Sequence, residues 1–158
     1  MRIRLVALAT FVVALMATLA LAATAGAIGG AKRVTSLNGA EECNATTCNQ
    51  GDPDGSGSAA IMLNVGHASV CWDITVADIT LPATASHIHL APAGTPGSVV
   101  VPLSPPDVSG HSSGCTTAAP ALIQNIIDHP EEYYVNVHNT DFPAGAVRGQ
   151  LSNRGQAD

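Results

Sequence analysis

Residues 133–151, YYVNVHNTDFPAGAVRGQL, alternate apolar and polar positions in two short runs separated by a turn-prone segment. Successive strand side chains point to opposite faces, so Tyr133, Val135 and Val137 share one side while Tyr134, Asn136 and His138 share the other. The second run repeats the division, with Val147, Gly149 and Leu151 inward and Ala146, Arg148 and Gln150 outward. The pattern over Ser86-His87-Ile88-His89-Leu90 sets Ile88 inward and two imidazoles together on the other side. The same period recurs over residues 58–65 and 68–76, which read as a hairpin around Gly66 and His67. In its second arm Val70, Trp72, Ile74 and Val76 form the inward set, with Trp72 as a core anchor and His67 exposed in the turn.

Further strands are expected at residues 34–37, 85–90 and 98–103, the last apolar throughout. Residues 104–113, rich in proline, serine and glycine, read as a surface connection carrying Val108 and His111. The period then changes. Leu122, Ile123, Ile126 and Ile127 fall on one helical face, which predicts a helix over residues 117–129 with Thr117 as its cap, Pro130 closing it and His129 at its end. Short strands joined by Gly/Pro turns predict an all-β class, a Greek-key-like antiparallel sandwich or partly closed barrel with that one short helix.

Residues 1–27 differ from the rest. Arg2 and Arg4 precede a long apolar run that ends in small residues, the order of a secretory signal peptide cleaved after Ala27. Retained instead, the run is long enough to anchor the chain in a membrane as a surface adhesin. Residues 28–33 read as a flexible mature terminus, residues 34–151 as one domain and residues 152–158 as a tail. The 158-residue chain has a formal charge of −6. Without the leader, four basic residues (Lys32, Arg33, Arg148 and Arg154) stand against twelve acidic ones, a formal charge of −8. An acidic chain without a basic run is a poor partner for nucleic acid or an anionic membrane surface.

Four cysteines in an exported chain imply disulfides, and three pairings are open. Cys43 with Cys48, closing a small loop, and Cys71 with Cys115, tying a strand to the segment before the helix, is the favoured pairing. A cysteine zinc site lacks a second close pair. Asn44-Ala45-Thr46 is a formal glycosylation sequon. Residues 51–57, GDPDGSG, open like a calcium loop, but the twelfth position counted from Asp52 is Leu63, so a solvated turn is expected.

The segments HIHLAPAGTPGSVVVPL, residues 87–103, and YYVNVHNTDFPAGAVRGQL together resemble the CHRD domain, named from chordin and found in short secreted bacterial proteins. The resemblance spans residues 34–151 and implies a secreted, disulfide-stabilised β domain acting as a non-enzymatic extracellular binding or structural module for a protein or glycan.

The alternative chemistry is a metal site. His87 and His89 project the same way from one strand, and His138 from a neighbouring strand could complete a three-imidazole site for copper or zinc. His87-Ile88-His89 is similar to the H-x-H strand pair of copper-zinc superoxide dismutases, without their bridging histidine and zinc-binding aspartate in comparable context. The structural reading of the same residues is a polar seam in which the histidines bond Asn136, Gln150 or backbone carbonyls. Arg148 is expected to pair with Asp73, Asp78 or Asp141, or else to steer an anion. No Gly-x-Ser-x-Gly elbow or placed carboxylate pair supports hydrolysis, so no catalytic residue is assigned.

Overall fold

The computed structural model describes residues 30–153. The expected leader, its cleavage point and the last five residues of the expected tail lie outside the described residues. Eight antiparallel strands form one sheet: β1 (Ala31–Asn38), β2 (Ser56–Asn64), β3 (Ser69–Ala77), β4 (Ala85–Leu90), β5 (Ser98–Leu103), β6 (His111–Thr117), β7 (Tyr133–His138) and β8 (Val147–Gln150). Their order is β5-β4-β7-β8-β1-β2-β3-β6, and the two end strands approach each other in a nearly closed barrel.

The period-2 pattern decides which side is inside. Ala59, Ile61 and Leu63 of β2, Val70, Trp72, Ile74 and Val76 of β3, Ile88 of β4, and Tyr133, Val135 and Val137 of β7 are buried together in the barrel. Trp72 anchors this core, and its indole N–H donates to Ser112 Oγ at 3.0 Å. The helix α1 (Pro120–Asp128) adds Ile123 and Ile126 to the same core, while Leu122 and Ile127 are only half-buried. No helix among the described residues is long and apolar enough to cross a membrane.

Several boundaries differ from the sequence expectation. β1 begins at Ala31 and takes in Lys32 and Arg33, because these residues pair with Met62 and Ile61 of β2, and Arg33 donates to the Ile127 carbonyl at the end of α1. Residues 111–113, expected in a surface connection, belong to strand β6, which pairs with β3 from Ser69↔Thr117 to Thr75↔His111. Its small polar residues carry no apolar period, and ladder pairing with β3 makes the strand. Thr117 therefore ends β6 and caps nothing; Ala119 precedes Pro120 at the helix start, with no side-chain cap.

Both expected disulfides are present. Cys43–Cys48 closes a five-residue separation, and Cys71–Cys115 joins directly paired positions of β3 and β6. The second therefore ties β3 to the segment before the helix, as expected, and that segment is itself strand β6.

Candidate metal site on the covered outer face

The polar residues of β4, β7 and β8 lie on the outside of the barrel, and the ladder fixes their rows. His89 faces Tyr134, which faces Gln150; His87 faces Asn136, which faces Arg148; His138 lies opposite Ala85. Between β4 and β5 the register shifts: Ile88 pairs with Val101 and His89 with Val99, leaving Val100 as the extra residue of a bulge beside His89.

This outer face is not open to water. The segment after β4, residues 91–97, and the segment after β1, residues 39–55, fold over it and supply backbone partners. Arg148, expected to project outward, is 1% exposed. Its two terminal nitrogens each donate at 3.0 Å, one to the Thr95 carbonyl and one to that of Pro92, and its guanidinium carbon stands 3.4 Å from the centroid of the Tyr134 ring. The expected pairing with Asp73, Asp78 or Asp141 is thus replaced by two carbonyls and a ring face. Asp73 instead lies 3.6 Å from His111, and Asp141 accepts from Thr80. Gln150 donates to the carbonyls of Ala91 and Glu131 and does not bond a histidine.

His87, His89 and His138 come together, with one ring nitrogen from each within 4.8 Å of the others. Backbone carbonyls set two of the tautomers. Nδ1 of His89 lies 2.9 Å from the Gly97 carbonyl, and Nδ1 of His138 lies 3.1 Å from that of Pro143. A carbonyl only accepts, so both Nδ1 atoms carry hydrogen and both Nε2 atoms of the neutral rings present lone pairs. His89 Nε2 is buried without a hydrogen-bond partner. The His89 ring is held flat against Tyr134, with centroids 4.7 Å apart and planes 9° from parallel, while the Tyr134 hydroxyl accepts from the Gly97 N–H.

Asn136, 2% exposed, completes the cluster. Its amide hydrogen-bonds the Glu42 carboxyl, and its Oδ1 stands 3.1 Å from His138 Nε2. Two acceptors therefore face each other, with the unpartnered Nε2 of His89 nearby. A cation held by the three imidazoles resolves such a convergence of lone pairs, and imidazole suits zinc or copper.

Charge follows the same geometry. Burial lowers the pKa values of all three histidines, and neighbouring imidazoles lower those of His87 and His138 further, with His138 at about 4. The rings are thus uncharged at neutral pH, the form in which imidazole ligates metal. Glu42, 5% exposed, is pushed up to about 7 by burial, against the pull of Arg148 and the bond from Asn136. Its role is invisible to strand periodicity, because it lies in a loop and is brought in by the fold.

A shallow groove of about 500 Å³ runs beside the cluster along residues 90–98, with Glu132 on its rim. Comparison with family models matches residues 34–151 to the CHRD domain. A search of curated proteins found no match.

Proposed function

The chain belongs to the CHRD domain family, and from that footing we propose that it is a non-enzymatic extracellular module that binds one zinc or copper ion through His87, His89 and His138. The observation that carries the reading is the orphaned Nε2 of His89, buried beside two other imidazoles while its opposite nitrogen is satisfied by the Gly97 carbonyl. Metal-bound histidines typically give their second nitrogen to such a carbonyl, which fixes the tautomer and aims the lone pair. The 3.2 Å between His87 Nδ1 and His138 Nε2 fits two ligands on one ion, since tetrahedral zinc with Zn–N near 2.0–2.1 Å separates its ligands by about 3.3 Å.

The two disulfides support an oxidising, extracellular setting. Ser86, the serine nearest the histidines in the chain, spends its hydroxyl on the Asn136 carbonyl, which supports a binding role over a nucleophilic one. The competing role of a purely structural seam has its own support in the bonds of His138 to Asn136 and Pro143.

Metal titration of the oxidised, metal-stripped protein tests the proposal. One equivalent of zinc or copper should bind, and His89→Ala should weaken binding at least about a hundredfold while leaving the far-ultraviolet spectrum unchanged. Failure of the wild-type protein to bind either ion would overturn the reading in favour of the seam.

A further inference from the structure

Three neutral imidazoles bring no negative charge to a divalent ion. Arg148, buried with its guanidinium over Tyr134, already places a positive charge on the same covered face. The carboxyl that could offset both belongs to Glu42, a side chain 95% removed from solvent whose Oε1 has no hydrogen-bond partner. Gly145, at φ +147°, lets the carboxyl lie against the backbone; a Cβ at that position would come within 2.6 Å of both carboxyl oxygens. The other contact is Asn136, whose amide reaches Glu42 on one side and His138 on the other.

Resting on the metal-binding reading above, we infer that Glu42 is the charge partner of the three-histidine site, set one amide away from the ion by Asn136, and that zinc binding draws its carboxyl into the ionised form. Glu42 is a positioning and charge-compensating residue, not a ligand. The groups that face it are Arg148 on β8 and, through Asn136, His138 on β7 and His89 on β4; Glu41, its chain neighbour, acts on the same Arg148. In the metal-free protein the pull of Arg148 does not overcome burial, and the carboxyl holds its proton up to about pH 7. A divalent ion nearby supplies the missing attraction, and by linkage the ionised carboxyl then strengthens the ion's binding by the same factor.

The affinity of zinc should therefore go on rising with pH above 6.5, where histidines whose pKa values are lowered are already unprotonated. Glu42→Gln imitates the protonated carboxyl. Wild-type protein should bind zinc at least about tenfold more tightly than Glu42→Gln at pH 7.8, and the two should converge at pH 5.5. Calorimetry in buffers of different ionisation enthalpy should show wild-type protein releasing on the order of half a proton per zinc near pH 7, and Glu42→Gln releasing none there. A ratio that stays flat with pH, or equal proton release from both proteins, overturns the role of Glu42 while the metal site stands. Absence of zinc binding to wild-type protein overturns the metal site itself. Should Glu42→Gln not fold, the wild-type release profile decides. A maximum between pH 6 and 7 supports Glu42. A rise towards alkaline pH assigns the proton to metal-bound water, a rise towards acid assigns it to the histidines, and either overturns the inference.

Discussion

His87 Nδ1 and His138 Nε2 stand 3.2 Å apart on neighbouring strands, 51 residues apart in the chain and one diagonal step out of register. Neither ring can take a proton without facing the other, and both pKa values are lowered, that of His138 to about 4. The unfolded chain binds protons at these positions near pH 6.5 and the folded one only below, so the histidines cost stability as pH falls from 6.5 towards 4. Proton NMR of the imidazole C–H signals should give a midpoint for His138 near 4. Saturating zinc, at about a hundred times its dissociation constant, should raise stability by about 2.7 kcal/mol, and a chelator should abolish the rise. Thermal unfolding with and without the ion measures it.

Glu42 has the opposite sign. Its folded pKa of about 7 lies above the ordinary 4.5, so the folded protein binds the extra proton between those values and loses stability as pH rises through them. Glu42→Gln removes that loss. Relative to wild type, the metal-free variant should gain on the order of 3 kcal/mol between pH 4.5 and 8, read from urea unfolding at the two pH values. A residue that weakens the metal-free fold above pH 5 yet lies buried against Asn136 fits a charge reserved for the site.

Arg148 ties the covering loop to the barrel. Each of its carbonyl bonds, to Thr95 and Pro92, involves a charged donor, and its flat guanidinium lies on Tyr134. Lysine keeps the charge but cannot reproduce the fork. Arg148→Lys should cost about 2–4 kcal/mol in urea unfolding and speed hydrogen exchange at Gly97, whose N–H donates to Tyr134 in the same loop.

The β-strand period made the inward sets of β2, β3, β4 and β7 legible, because one face packs on a largely apolar core whose few polar side chains, such as Ser86 and Ser112, are hydrogen-bonded. It also placed His87, His89, His138 and Asn136 on one outer face, and the ladder brings them together there. The same pattern misled at Arg148, since alternation distinguishes inside from outside a sheet but not whether a loop covers the outside. Strand β6 escaped because His111, Ser112, Ser113 and Gly114 have no apolar rhythm and are held by pairing with β3. Glu42 escaped for a related reason: its burial comes from loop closure and from the approach of Gly145, neither of which leaves a local period.

The two disulfides divide the stability unequally. Cys71–Cys115 spans 44 residues and joins directly paired strands of the barrel, whereas Cys43–Cys48 spans five and closes only a surface loop. In the chain-entropy model the first restrains the unfolded state by about 4 kcal/mol and the second by about 2. Replacing Cys71 and Cys115 together with alanine should therefore lower the urea midpoint about twice as far as replacing Cys43 and Cys48, each variant being compared with oxidised wild type. The smaller loop lies immediately after Glu42, and the Gln50 N–H bonded to the Glu42 carbonyl still closes the loop when the disulfide is gone. Zinc affinity in the Cys43/Cys48 variant should consequently stay within about threefold of wild type, a change of under about 0.7 kcal/mol. A larger loss would show that the disulfide, and not that backbone contact, holds Glu42 in place.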